Sequence, residues 1–273
     1  MAKAKLNGIE INYKATGKGT PLVLVHGHPF DHTMWYPQVV DFSDLYQVIT
    51  PDLRGYGEST LPDPANTKFE DYATDIIKLM DYLEIEDFHL SGLSMGGQII
   101  MEIFRQAPKR IKSLVFADTF ASLDTPDVKK GRYDTASRLE KEGMDGYADE
   151  VIYKMITPEH VSTMPEVSGH VLKMMKATSP FAAATALRAR AERIDYLNKV
   201  LPQINVPTLV IVGREDKFTP VAQAEELVEN LQNSKLVIIE DAGHMPNLEH
   251  PEEFNGAVLD FLVRISNYSE SSF

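Results

Sequence analysis

Two periodicities alternate along this chain. Short runs rich in Val, Ile, Leu and Phe occupy residues 22–26, 48–51, 88–92, 113–117, 208–213 and 236–240, and each closes near Gly, Pro, Asp or Ser. Such runs read as strands buried on both faces and ended by turn residues. Between them, in 72–83, 97–106, 222–231 and 251–265, apolar residues recur every three or four positions, the spacing of a helix with one apolar face. Strand and helix in alternation predict a mostly parallel sheet of about eight strands with helices on both faces, an α/β fold. Two opening runs, 4–6 and 9–13, are joined by Asn7-Gly8. Asn-Gly is a hairpin signal, so the sheet is expected to begin antiparallel.

The rhythm breaks once. From 122 to 201 no run reads as a strand, and helical spacing fills 128–141, 146–155, 166–177 and 180–193. This predicts a helical insertion between two late strands. Long insertions in compact domains are usually functional, so the favoured reading is a lid over a pocket rather than ordinary covering helices. The expected division is an α/β core of residues 1–121 and 202–273 with a helical lid, or cap, of 122–201. The tail, 267–273, is polar and expected to fray.

Composition narrows the chemistry. The 273 residues include no cysteine, which removes disulfides, thiolate metal sites and a cysteine nucleophile. Forty acidic residues against 27 basic ones give a net charge of −13. That balance speaks against nucleic acid and anionic membrane surfaces as partners, and at long range it repels anionic ligands. No apolar run approaches the roughly 18 residues of a membrane span, and residues 1–13 lack the apolar core of a secretory signal. A soluble, cytoplasmic protein is expected.

The chemical signal is Gly92-Leu93-Ser94-Met95-Gly96, set between a predicted strand and a predicted helix. A serine hydroxyl is a weak nucleophile and must stand clear of the backbone to reach an acyl carbon. A sharp strand–turn–helix elbow does this, and the glycines two residues to either side leave room for it. The helix start then brings unpaired N–H groups towards a developing oxyanion. A base is needed, and His244 follows the last strand, at the sheet edge where ligands sit in open α/β folds. The base needs an orienting carboxylate. Asp216, after the strand 208–213, is the first choice, with Glu215 and Asp118 as rivals. His26-Gly27-His28-Pro29 follows the first long strand. There the backbone N–H of His28, with that of Met95, is the expected oxyanion hole, since Pro29 cannot donate. The side chain of His26 is expected to orient this loop. Phe30, Trp35, Phe120 and Phe218 are candidates for an apolar acyl pocket, each also readable as core. His26, His28, Asp31 and His32 form a spacing one residue too long for a metallo-hydrolase pattern; that reading leaves the elbow unexplained, and no metal is expected.

These residues, with Asp52-Leu53-Arg54-Gly55-Tyr56-Gly57-Glu58-Ser59, Gly97 and Ala117-Asp118-Thr119, resemble the α/β-hydrolase fold superfamily from about residue 6 to 262, most weakly in the lid. The variant is most similar to the branch of small carboxylesterases, 3-oxoadipate enol-lactonases and cofactor-free haloperoxidase/perhydrolases. The resemblance implies a triad of Ser94, Asp216 and His244, oxyanion donors at His28 and Met95, and no cofactor. It implies that Asp52 and Arg54 brace the loops. Haloalkane dehalogenases and epoxide hydrolases of this fold carry aspartate at the elbow, so Ser94 argues against both. His28 departs from the aromatic or small residue usual in this branch and would add a polar wall to the acyl site. The expected function is a serine hydrolase acting on small carboxylic esters or lactones, with enol-lactonase or perhydrolase activity on the same triad as the alternative. A ligand receptor with vestigial hydrolysis is the reading from another class. Oligomeric state is left open.

Overall fold

The computed structural model describes residues 1–6 and 8–270, the last four of them in backbone only. Strands β1 (Ala2–Leu6) and β2 (Ile9–Thr16) form an antiparallel hairpin with Leu6 opposite Ile9. Gly8 takes the turn at φ +84°, a conformation open to glycine without a Cβ penalty; its partner in the expected turn, Asn7, lies outside the described residues. Then follow β3 (Thr20–Val25), α1 (Tyr36–Phe42), β4 (Tyr46–Pro51), α2 (Phe69–Tyr82), β5 (Phe88–Leu93), α3 (Met95–Gln106) and β6 (Ile111–Ala117). Six helices come next: α4 (Pro126–Glu142), α5 (Asp145–Met155), α6 (His160–Thr163), α7 (Pro165–Ala177), α8 (Pro180–Ala191) and α9 (Tyr196–Lys199). The chain returns through β7 (Thr208–Gly213), α10 (Val221–Asn230), β8 (Ser234–Ile239), α11 (Pro246–Glu249) and α12 (Pro251–Glu270).

The eight strands lie in the order β1-β2-β4-β3-β5-β6-β7-β8, with β2 antiparallel to β4 and every later pairing parallel. The α/β sheet is therefore as the periodicity predicts, and its antiparallel start is as the Asn7-Gly8 signal predicts. Helix α1 had no counterpart there, because it is short and buries only Gln38 and Phe42, too little for a period to register. Part of the tail expected to fray continues α12 as far as Glu270, and residues 271–273 lie outside the described residues.

Successive strand residues face opposite sides, so each strand feeds two cores. Val23 and Val25 join Leu90 and Phe116 under α2 and α3, while Leu22 and Leu24 join Val115 and Phe254 on the side of α1 and α12. The helices between β6 and β7 add a small core of their own, in which Ala136 and Leu139 of α4 meet Ala183, Ala184 and Leu187 of α8. Alanines let these two helices approach closely.

Neighbours β4 and β5 lie on either side of β3, so the chain leaves β3 for one side of the sheet and later returns to the other. In open α/β sheets ligands bind outside the carboxyl ends of the strands at such a reversal. The loop from β3 carries His26 and His28, and the turn from β5 carries Ser94.

Candidate active site

Ser94 stands alone between the last residue of β5 and the first of α3, at φ 57° and ψ −117°. For a residue with a Cβ this costs about 1–3 kcal/mol, which the surroundings must hold in place. They do so through the backbone. Ser94 N donates to Ala117 O at 2.9 Å, and Ser94 O accepts from the Thr119 hydroxyl at 2.7 Å. The flanking glycines are required by space. A Cβ on Gly92 would overlap the carbonyl of Gly96, and one on Gly96 would overlap the carbonyl of Val25.

His244 and Asp216 meet across two loops. His244 Nδ1 lies 2.7 Å from Asp216 Oδ2, and both residues are buried. Burial alone would raise the Asp216 pKa, but the His244 ring, the Thr219 hydroxyl and a backbone N–H of the same turn lower it below the usual carboxylate value. An ionised carboxylate can only accept, so Nδ1 carries a ring proton, which in a neutral imidazole leaves the lone pair on Nε2. Asp216 Oδ1 accepts from the N–H groups of Phe218, at 2.7 Å, and Thr219, at 3.1 Å. Its rival Asp118 is next to it. One atom each of Asp118, Asp216 and His244 fall within 4.8 Å of one another. Asp118 accepts from Gly213 N at 2.9 Å, and burial beside the Asp216 charge pushes its pKa far up. Two adjacent carboxyls cannot both ionise in such a place, so the proton stays on Asp118. Glu215 is exposed, with its carboxylate 3.4 Å from Lys217 Nζ.

The loop after β3 is held by its histidines. His26 Nε2 accepts from Leu53 N at 2.9 Å and Nδ1 lies 2.8 Å from Gly27 O. Asp52 accepts from His32 N at 2.9 Å and from Asn12 Nδ2 at 2.7 Å, which ties this loop to the first hairpin. Arg54 turns instead to α2, where its Nε donates to Asp75 at 2.7 Å. The Nδ1 of His28 pairs with the Tyr56 hydroxyl at 2.7 Å, and burial, then Arg190 and Arg132, lower its pKa to about 3. His28 is thus a neutral polar wall. Of the four residues with near-metallo-hydrolase spacing, only Asp31 and His32 come together, and they do so with Asp52.

A cavity of about 420 Å³ is lined by Ser94, His28 and His244, with Phe120, Tyr147, Arg132, Arg190 and Phe218 among its other walls. Two of the four aromatic candidates, Phe120 and Phe218, are therefore here. Phe30 and Trp35 are not: both are fully buried in the core that includes Phe42 and Phe254, Phe30 from the turn in which its N–H donates to Gly27 O and Trp35 from the short helix after Asp31. A larger space of about 650 Å³ lies between α2 and α8 and contains none of these groups.

Several residues carried no chemical signal of their own in the sequence, Thr119 entering only through the Ala117-Asp118-Thr119 resemblance. Thr119 and Thr219 are small hydroxyls that matter only through what folds against them. Glu249 sits in α11 and accepts from Gly243 N, at 2.8 Å, and from Thr157 N, at 2.9 Å. Gln98, one turn into α3, donates to Phe120 O at 3.0 Å and accepts from Arg190 Nε at 2.6 Å. Chemically, the assembly offers a hydroxyl on a strained turn, an imidazole of fixed tautomer, and a buried carboxylate to balance an imidazolium.

Residues 20–251 match the alpha/beta hydrolase fold family, and the chain belongs to it. Among curated relatives, the chain is 29% identical to 3-oxoadipate enol-lactonase 2 of Acinetobacter baylyi over 94% of its own length and 95% of that protein's. Among solved structures, a thermophilic esterase from Thermogutta terrifontis superimposes with a TM-score of 0.91 at 35% identity, covering 96% of this chain and 97% of the other. The enol-lactonase from Burkholderia xenovorans gives 0.89 at 30% identity, over 96% and 100%.

Proposed function

From its membership of the alpha/beta hydrolase fold family, we propose that this protein cleaves small carboxylic esters or lactones by acyl transfer through Ser94. The observation that carries the reading is the buried 2.7 Å contact between His244 Nδ1 and Asp216 Oδ2, in a residue that shares a cavity wall with Ser94. Esterases and enol-lactonases among the similar proteins support the same class of bond.

In this mechanism His244 Nε2 takes the Ser94 proton as the oxygen attacks the carbonyl carbon. The oxyanion is held by the backbone N–H groups of Met95 and His28. Removing one such donor costs about 3 kcal/mol of transition-state stabilisation. His244 then protonates the leaving alkoxide, which in a lactone remains tethered to the acyl group. Water, deprotonated by His244, attacks the acyl-enzyme, and His244 returns that proton to the departing Ser94 oxygen as the acid is freed. Asp216 stays ionised throughout, holds the tautomer and balances the imidazolium. No step needs a cofactor. Residues 122–201 act as the lid in this reading, supported by Arg132, Tyr147 and Arg190 of this segment lining the same cavity as Ser94.

The test is labelling. A serine-directed phosphonate is expected to add once, at Ser94, and to stop hydrolysis of 4-nitrophenyl butyrate, while Ser94→Ala neither labels nor turns over. Turnover by Ser94→Ala within tenfold of the parent would end this reading.

A further inference from the structure

The walls of the cavity are charged in a way the chain as a whole is not. The protein carries a net −13, yet the charged residues lining this cavity are Arg132, Arg190 and Asp124. The single carboxylate is already shared. Asp124 accepts from Arg132 Nε at 2.5 Å and from Arg193 Nη2 at 3.1 Å, and Arg193 Nη1 lies 3.0 Å from its other oxygen. Two guanidiniums have consumed it.

Arg190 is left over. It is 8% exposed, and among the described residues no carboxylate comes within ion-pair distance of it. Its Nε donates to Gln98, and its guanidinium lies 5.5 Å from the centre of the Phe120 ring. The terminal nitrogens make no hydrogen bond to a described residue, and they are not among the polar atoms sealed inside the protein, so they remain open to the cavity. Burial and the neighbouring charges of Arg132 and Arg193 press the Arg190 pKa down, and the more distant Asp124 does not offset them. Arginine keeps its proton all the same. A buried, unpaired cation is costly, and a protein that only needed to hold Gln98 could do so with a neutral donor. A planar fork of open N–H groups matches one ligand chemistry best, a carboxylate bound through two parallel hydrogen bonds.

We propose that the substrate of this cavity is an ester or lactone that carries a free carboxylate, bound by the guanidinium of Arg190. This rests on the hydrolase reading above and adds the substrate class. It also resolves an apparent conflict, because long-range repulsion by the negative surface is screened within about 10 Å at ordinary salt, whereas the guanidinium acts at contact. Neutral His28 adds a polar wall without competing for the charge.

The experiment compares matched esters. One series places the carboxylate on the acyl side, as monomethyl glutarate, adipate and pimelate, against methyl esters of neutral acids of equal length. A second places it on the alcohol side, as the butyryl esters of glycolate and 4-hydroxybutyrate, against neutral alcohols of equal length. In at least one series the wild-type kcat/KM should favour the carboxylate by about ten- to hundredfold, the range of a charge-assisted pair. In Arg190→Gln that ratio should collapse towards one, and in Arg190→Lys it should stay above one. Selectivity for the neutral ester in both series, or an undiminished ratio in folded Arg190→Gln, overturns the proposal. Should Arg190→Gln fail to fold, the wild-type ratio decides. If phosphonate still labels Ser94 and neutral esters still turn over, only the carboxylate is wrong. If neither occurs, the hydrolase reading falls and takes the carboxylate with it.

Discussion

Glu249 Oε1 accepts a hydrogen bond from the backbone N–H of Gly243, 2.8 Å away and one residue before His244. The other oxygen of the same carboxylate accepts from Thr157 N at 2.9 Å and lies 2.8 Å from His160 Nδ1. One buried side chain thus binds the loop of the imidazole to the helical segment over it. Removing it leaves two buried N–H groups without a partner, at about 1–3 kcal/mol each. Glu249→Ala is therefore expected to lose about 2–6 kcal/mol in urea unfolding, and its kcat should fall more than its affinity for substrate, because the loop carries His244. An unfolding midpoint equal to that of the parent would show that the clamp contributes nothing.

The two carboxyls beside His244 should behave oppositely. Asp216→Asn removes the ionised partner of His244 and should lower kcat by roughly four orders of magnitude. Asp118→Asn keeps an oxygen for Gly213 N and supplies an N–H₂ where the protonated acid had its hydrogen, so its kcat should stay within about tenfold. Steady-state kinetics on 4-nitrophenyl butyrate separate the two, and the reverse pattern would move the acid to Asp118.

Acid should unfold the protein partly through Asp52. Desolvation would raise it, but its hydrogen bonds to His32 and the nearby His32 charge outweigh that and take its pKa from 3.8 to about 2. A carboxyl depressed on folding contributes stability above its unfolded pKa and loses it as pH falls through the folded one. The contribution is about 2 kcal/mol, present above pH 4 and gone near pH 2. In Asp52→Asn, the dependence of unfolding free energy on pH in that window should be flatter by this amount. An unchanged slope would remove Asp52 from the account.

The elbow tolerates no side chain at Gly96. A Cβ there would overlap Val25 O and come within 2.8 Å of His26 O, both of them backbone that cannot step aside. Gly96→Ala should cost more than about 3 kcal/mol by strain and overpacking, and thermal unfolding will register it if the protein folds at all. A melting temperature within 2 °C of the parent, by roughly the conversion expected at this size, would contradict the crowding.

Much of this protein was determined by the sequence alone. The strand runs, the hairpin signal at Asn7-Gly8 and the glycines around Ser94 each act within a few residues, through alternation, turn preference and space. They predicted the α/β sheet and the kinked turn that the structure contains, and they put Ser94, Asp216 and His244 at the ends of β5, β7 and β8. Only the tertiary structure decided which carboxylate meets the imidazole, since Asp118 and Asp216 both end strands and only the pairing of β6 beside β7 sets them side by side. It also decided that Phe30 and Trp35 turn into the core, and that Arg190 reaches Gln98 from 92 residues away without a counterion. Local chemistry is written in neighbours along the chain, whereas burial and charge balance depend on which distant segments come to pack together.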